Sequence, residues 1–101
     1  MQRTASRLAI KYVGVAAEAL PAGYRTTAQT VEKSMEIQYP KATSAQIQGT
    51  HPHKSSKDPG DEKEVITVSY HTVSGTRVAS VHLHADGTYK LFPSRNANKG
   101  R

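Results

Sequence analysis

The fold of this chain is constrained most by an alternation of apolar and polar residues over 64–92. The segment, EVITVSYHTVSGTRVASVHLHADGTYKLF, contains three such runs, and each junction between them carries a turn signal. Because side chains alternate between the two faces of a strand, these runs indicate antiparallel strands with one buried face. We therefore predict strands at 65–73, 76–84 and 88–92, joined as a meander.

The first turn fixes how the first two strands pair. A two-residue loop at 74–75 places Tyr70 opposite Ala79 and Val68 opposite Val81. The apolar residues of both strands then share one face, as a sheet with a single buried face requires. We expect this register.

The second turn has two candidate geometries. A two-residue loop at 86–87 would place Leu83 opposite Lys90 and mix the two faces of the sheet. A three-residue loop, with Gly87 in the left-handed region and a bulge, places Leu83 opposite Tyr89 and His82 opposite Lys90 instead. We predict the second geometry because it keeps the core face apolar. The polar face then carries Thr67, Ser69, His71, Ser80, His82, His84, Thr88 and Lys90.

Two helices are predicted before the meander. A capping box, Thr26 with Gln29, marks the start of a helix at 27–38. Its apolar residues have amphipathic spacing and would cover the core face of the sheet. They are Tyr24, Ala28, Val31, Met35 and Tyr39. The alanine-rich segment 4–20 predicts a second helix, which Gly14 weakens.

The fold class is therefore α+β: one or two N-terminal helices packed on one face of a small antiparallel β-meander of three to four strands. Residues 42–50 predict the fourth strand, at an edge of the sheet. Residues 51–63 lack an apolar anchor and predict a mobile loop. A chain of 101 residues supports one core. We divide it into a basic helical segment at 1–23, one domain at 24–93 and a basic flexible tail at 94–101.

The net charge of +6 is concentrated at the two ends of the chain. Arg3, Arg7 and Lys11 precede the first acidic residue, and Arg95, Lys99 and Arg101 follow the last one. The sequence contains no cysteine, which excludes disulfides and thiolate chemistry. No apolar run is long enough to cross a membrane. We therefore expect an intracellular protein. The basic N-terminus has two open interpretations: a solvated helix face or a mitochondrial targeting segment.

Histidine supplies the candidate chemistry. On a strand, His82 and His84 point the same way, and with His71 they would form a metal or polar site, zinc being the candidate ion. The same histidines near Lys90 would suit acid–base cleavage of an RNA phosphodiester. The alternative is a solvent-facing strand whose polar positions are histidine.

Nucleic-acid binding is the third hypothesis. Polar and basic side chains on an open sheet, together with basic ends, suit contacts with phosphate and sugar. The order of one helix followed by three antiparallel strands resembles the double-stranded-RNA-binding domain in outline. That family's closing helix and lysine cluster have no counterpart here, so its function is not carried over.

We therefore expect a small basic non-catalytic binding or assembly module that docks on RNA or a ribonucleoprotein. The alternatives are a protein partner at an edge strand and a metal-binding protein or RNA-cleaving enzyme using His71, His82 and His84. The candidate nucleic-acid-binding residues are Arg3, Arg7, Lys11, Arg77, Lys90, Arg95, Lys99 and Arg101.

Overall fold

The computed structural model describes residues 10–54 and 64–101. A five-stranded mixed sheet is covered on one face by a single α-helix, α1 (Ala22–Gln38). The strands lie side by side in chain order, with β1 parallel to β2 and every other neighbouring pair antiparallel. The class is α+β as predicted, but the sheet is larger than expected and not purely antiparallel. The strands are β1 (Lys11–Tyr12), β2 (Ala42–Ile47), β3 (Ile66–Thr72), β4 (Arg77–Leu83) and β5 (Tyr89–Pro93).

The predicted pairing of the meander is confirmed. Tyr70 lies opposite Ala79, and Val68 lies opposite Val81. At the second turn Leu83 pairs with Tyr89, and Gly87 has a φ of +94°. The backbone N–H of His84 donates to the carbonyl of Thr88, which closes the three-residue loop. The left-handed backbone at Gly87 is the conformation that this loop requires, and glycine adopts it without steric cost.

The first turn differs from the predicted two-residue loop. Thr72 donates its backbone N–H to the carbonyl of Thr76, so the loop has three residues. Val78 is an extra residue in β4, because Tyr70 pairs with Ala79 while His71 pairs with Arg77. This bulge places Arg77 opposite His71, where a two-residue loop would have placed Val78.

Helix α1 extends further toward the N-terminus than predicted. The helix begins at Ala22, directly after Pro21. The proline ring fixes φ of Pro21 at a value that is compatible with the start of a helix. The predicted capping box is wrong, since Thr26 lies inside the helix and its hydroxyl donates to the carbonyl of Ala22. The predicted apolar stripe is confirmed: its five residues are buried against the sheet, and they are Tyr24, Ala28, Val31, Met35 and Tyr39.

The predicted N-terminal helix is wrong over residues 10–20, and its remaining residues, 4–9, lie outside the described residues. Tyr12 pairs with Ala45, and Val13 donates its backbone N–H to the same residue. The chain then turns at Gly14, where φ is +85°, outside the right-handed helical region. A short 3₁₀ helix follows at Ala17–Ala19. Long-range pairing with β2 therefore overrides the helix propensity of the alanines.

Two further expectations are corrected. β2 lies between β1 and β3, so it is not an edge strand; β1 and β5 occupy the edges. The predicted flexible tail instead contains a 3₁₀ helix at Ala97–Gly100, in which Ala97 and Gly100 are buried. The carbonyl of Gly100 accepts the backbone N–H of Lys41, so the tail lies against the end of α1 and the start of β2. Within the described residues, no helix has the length and apolar character needed to span a membrane.

Candidate functional site

The face of the sheet opposite α1, here called the polar face, carries a row of polar side chains across four strands. Lys11 of β1 pairs with Ser44, which pairs with His71, which pairs with Arg77. Arg77 belongs to this row because Val78 is an extra residue in β4. Ser44 pairs with His71 in the same regular register that pairs Ala45 with Tyr70. Without this extra residue the position of Arg77 in the register would change by one, which would place its side chain on the opposite face of the sheet.

Charge on the sheet has one sign. The five strands contain three cationic residues, Lys11, Arg77 and Lys90, and no aspartate or glutamate. The register places all three on the polar face, because their partners there are Ser44, His71 and His82. All three cations are exposed. The charged side chains that the five strands place on the polar face are therefore all cationic.

The two predicted site histidines at the end of β4, one inside the strand and one directly after it, are not exposed. His82 and His84 are each 3% exposed, so the expectation of a solvent-facing histidine surface is wrong at these two positions. The ring of His82 lies against Phe92, with 4.7 Å between ring centroids and an interplanar angle of 60°. Phe92 is on the polar face because its partner is Ser80. A contact from the neighbouring strand therefore covers a side chain that alternation alone assigns to solvent.

His84 takes part in the structure of the second turn. Its Nδ1 is 2.8 Å from the Thr88 hydroxyl, and that hydroxyl donates to the Asp86 carboxylate. Since the Thr88 hydroxyl has one hydrogen, His84 Nδ1 must be the donor of the first bond. The Asp86 carboxylate also accepts the backbone N–H of Thr88. These hydrogen bonds of His84 and Asp86 therefore stabilise the second turn.

His71 is the half-buried histidine of the polar face. Its Nε2 is 3.0 Å from Ser69 Oγ, and its Nδ1 is 3.4 Å from the carbonyl of Gly75. A carbonyl accepts only, so Nδ1 carries the hydrogen and Nε2 accepts from the serine hydroxyl in the neutral ring. The amide of Gln48 donates to the same hydroxyl oxygen at 3.1 Å. The interactions of His71 thus lie within its own strand and the first turn.

The histidines do not converge on one point. Among residues 10–54 and 64–101, no group of three His, Asp or Glu side chains is placed to hold a metal ion. His71 lies beside the first turn, whereas His84 is tied to the second turn. Structural zinc sites in proteins need four ligands in a tetrahedral arrangement. The proposed set of His71, His82 and His84 does not provide one.

A shallow groove of about 500 Å³ lies where β4 begins and β5 ends. Arg77 and Arg95 both line it, and the other lining residues are polar: Thr76, Ser94 and Asn96. No acidic residue of the described chain lines this groove. The structure therefore brings together two of the predicted nucleic-acid-binding residues that are 18 positions apart in the sequence.

The remaining basic candidates are distributed around the tail. Lys99 is exposed in the C-terminal 3₁₀ helix. The guanidinium carbon of Arg101 lies 5.7 Å from the ring centroid of Tyr39, which is within cation–π range. Arg3 and Arg7 lie outside the described residues. The described members of the predicted nucleic-acid-binding set thus fall into two groups, one on the polar face and one on the docked tail.

A second recess, of about 430 Å³, lies on the other side of the sheet between β1 and α1. Its main polar groups already contact one another: the Tyr12 hydroxyl donates to the Glu32 carboxylate, and Arg25 donates to the carbonyl of Glu18. Burial, together with the hydrogen bond to Glu32, raises the pKa of Tyr12 above its ordinary value. This recess is therefore a packing feature that connects β1 to the helix.

Sequence reasoning missed Phe92 and Ser94 as members of these surfaces. Phe92 was visible in principle, since the predicted register already placed Leu91 in the core and hence Phe92 on the polar face. Ser94 had no comparable signal, because its role depends on the docking of the tail. The chain matches no protein-family model, and no curated protein and no solved structure shows significant similarity to it.

Proposed function

We propose that this protein is a non-catalytic binding module that docks on RNA, free or within a ribonucleoprotein, through the polar face of its sheet and its basic tail. The observation that carries the proposal is the one-signed charge of the sheet: Lys11, Arg77 and Lys90 share the polar face, and the strands contain no acidic residue. The RNA backbone carries one negative charge per phosphate, and three cations on one face of the sheet attract it.

The neutral residues of the face also suit a nucleic acid. Ser44, Gln46, Gln48 and Ser80 carry hydroxyl and amide groups that donate to phosphate and sugar oxygens, and each is at least partly exposed. Phe92 is the single aromatic residue on the strands' polar face. Since sequence-specific RNA recognition by sheets relies on several stacking aromatics, binding here should be sequence-tolerant and dominated by phosphate contacts.

The burial of two histidines favours binding over catalysis. Acid–base cleavage of a phosphodiester needs two proton-transfer groups within hydrogen-bond reach of the substrate. His82 and His84 are both buried, and His84 already bonds with Thr88. The alternative of an RNA-cleaving enzyme using these histidines with His71 therefore receives no support from their placement.

The proposal is tested by fluorescence anisotropy with a labelled single-stranded RNA of mixed sequence. We expect measurable affinity at about 50 mM salt and a loss of about tenfold or more on raising the salt to about 200 mM, the response expected for three or more phosphate contacts. The variant Lys11→Gln/Lys90→Gln should bind at least about tenfold more weakly at the lower salt.

The matched control is Arg25→Gln/Lys33→Gln. It removes the same two charges, but from α1, which covers the opposite face of the sheet. Equal losses in the two variants would show that net charge alone is responsible and would overturn the polar face as the interface. An absence of wild-type affinity at the lower salt would overturn RNA as the partner. It would favour instead a protein strand pairing with the outer edge of β5, which ends the sheet.

A further inference from the structure

We propose that the groove between Arg77 and Arg95 is a phosphate-binding site, built by the docking of the C-terminal tail onto β4. The inference deepens the proposed function, on which it rests: the phosphate would be one of the RNA backbone. Two guanidinium groups are the side chains best suited to the ligand, because each presents a planar fork that matches two phosphate oxygens. The groove, at about 500 Å³, is large enough to admit a phosphate with its flanking sugars.

Ser94 brings the two arginines together. Its backbone N–H donates to the carbonyl of Val78 at 3.0 Å, and its hydroxyl donates to the carbonyl of Arg77. These two bonds attach the residue before Arg95 directly to the strand that carries Arg77. Both hydrogens of Ser94 are therefore committed to β4, and Ser94 is a positioning residue, not a phosphate ligand.

The tail holds this arrangement from the other side. Ala97 donates its backbone N–H to the carbonyl of Ser94, and Ala97 itself is buried in the core. Gly100 is buried against Val78, the inserted residue of the bulge. The backbone of Arg95 is thus fixed between two anchored points. Fixing this backbone before the ligand arrives leaves only the side chain of Arg95 to be ordered, which lowers the entropic cost of binding.

The charges of the groove are not neutralised from within. Thr76, Ser94 and Asn96 complete its lining, and none of them is acidic. Neither arginine forms an ion pair with any described residue. The site would therefore bring two positive charges to one anion, with the Thr76 hydroxyl and the Asn96 amide as further donors.

The site is tested first with inorganic phosphate and the full-length protein by NMR. We expect saturable shifts of the backbone amides of Arg77, Arg95 and Asn96 and of the arginine side-chain N–H groups. Sodium chloride at matched ionic strength should not reproduce them. Arg77→Gln/Arg95→Gln should abolish the response and Arg25→Gln/Lys33→Gln should retain it. A wild-type protein without saturable shifts, or an arginine-pair variant that responds as wild type does, would overturn the site.

Ser94→Ala provides an independent readout of the positioning role. Loss of one of the two bonds should weaken phosphate affinity about fivefold, and Ser94→Thr, which keeps the hydroxyl, should restore it. An unchanged affinity in Ser94→Ala would contradict a positioning role for Ser94.

The RNA titration separates the two proposals. For single strands, each lost phosphate contact lowers the slope of log affinity against log salt by about 0.7, so Arg77→Gln/Arg95→Gln should lower it by about 0.7–1.4. Wild-type RNA binding with an unchanged slope in this variant would overturn the phosphate site and leave the proposed function intact. If the wild-type protein bound phosphate saturably but had no affinity for RNA, the proposed function would be overturned and the phosphate site would stand.

Discussion

Gly100 lies so close to Val78 that a Cβ atom on Gly100 would stand 2.6 Å from Cγ1 and 3.0 Å from Cβ of that valine. Contacts this short exceed what van der Waals repulsion allows, and the β-branched side chain of Val78 has few rotamers into which it can withdraw. Val78 is fully buried. Only glycine therefore fits at the point where the tail meets β4.

Gly100→Ala should consequently release the tail or strain its contact with β4. We expect a loss of about 1–3 kcal/mol in the free energy of unfolding, the usual cost of overpacking a well-filled interior. Urea denaturation followed by circular dichroism measures it. Gly49→Ala is the matched control, since nothing lies within 4 Å of a Cβ there, and it should change stability by less than about 1 kcal/mol. Equal stability of the two variants would contradict the observed docking of the tail.

Thr27 joins the helix to the end of β4. It is fully buried, and its hydroxyl lies 2.6 Å from the carbonyl of His84 and 3.0 Å from that of Gly23 in the preceding helical turn. One hydroxyl hydrogen can form one strong bond, and the shorter distance assigns it to His84. Ala85, the residue after His84, is the first residue of the second turn. This bond therefore sets the distance between α1 and that turn.

Thr27→Val, which keeps the shape and removes the hydroxyl, should lower the free energy of unfolding by about 1–3 kcal/mol because a buried carbonyl loses its donor. Thr30→Val is the control, since Thr30 is exposed and its hydroxyl reaches only the carbonyl of Thr26, 3.4 Å away in its own helix. Chemical denaturation of both variants measures the two changes in the free energy of unfolding. A cost at Thr30 as large as that at Thr27 would argue against the long-range bond.

How far the sequence determined this fold depends on whether a feature is local. The register of β3, β4 and β5 followed from alternation and turn chemistry, since a one-residue error would have placed Val68 and Val81 on the solvent side. The three-residue second loop, with Gly87 in the left-handed region, was predicted because it keeps the apolar residues on one face. The apolar stripe of α1 was equally readable from its spacing.

What the sequence did not determine depends on contacts between distant segments. The alanine-rich N-terminus has helix propensity, yet Tyr12 pairs with Ala45 in a parallel strand. The tail has the composition of a flexible segment, but one close fit, Gly100 on Val78, docks it. Each of these outcomes is decided by a partner that no local pattern identifies.

The candidate site follows the same division. Lys90 could be assigned to the polar face from the register, and the structure places it there. Arg77 could not, because the inserted Val78 reverses the face on which it lies. The position of Arg77 next to Arg95 depends further on the two hydrogen bonds that Ser94 donates to β4. The individual basic residues were therefore visible in the sequence, but their grouping was not.

Two tyrosines near Glu32 should respond in opposite ways to loss of their hydroxyl groups. The Tyr12 hydroxyl donates to the Glu32 carboxylate, whereas the buried Tyr70 hydroxyl has no hydrogen-bond partner among the described residues. Tyr12→Phe should lower the free energy of unfolding by about 1–2 kcal/mol, since a bond to a charged acceptor is lost. Tyr70→Phe should raise it by up to about 1 kcal/mol, because burying an unpaired hydroxyl is unfavourable. Urea denaturation at pH 7 tests both, and a destabilised Tyr70→Phe would show that this hydroxyl has a partner.

The stability of the protein should fall in alkaline solution because of these tyrosines. Burial is the main cause that raises the pKa of Tyr12 and of Tyr70 above the ordinary tyrosine value, and the nearby Glu32 carboxylate adds to it. In the unfolded chain both ionise near pH 10, so above that pH the native state binds more protons than the unfolded state. The free energy of unfolding therefore decreases as pH rises through this window, by up to about 1.4 kcal/mol per pH unit for each tyrosine.

Denaturation of wild type and Tyr70→Phe at intervals from about pH 8 to about pH 11 measures this contribution directly. The difference in stability between the two proteins should be constant below about pH 9 and should shift in favour of the variant above about pH 10, since the variant has one fewer group to titrate. Other alkaline titrations occur in both proteins and cancel in the difference. A difference that stays constant up to about pH 11 would mean that Tyr70 ionises as readily in the native state as in the unfolded chain, which contradicts its complete burial beside Glu32.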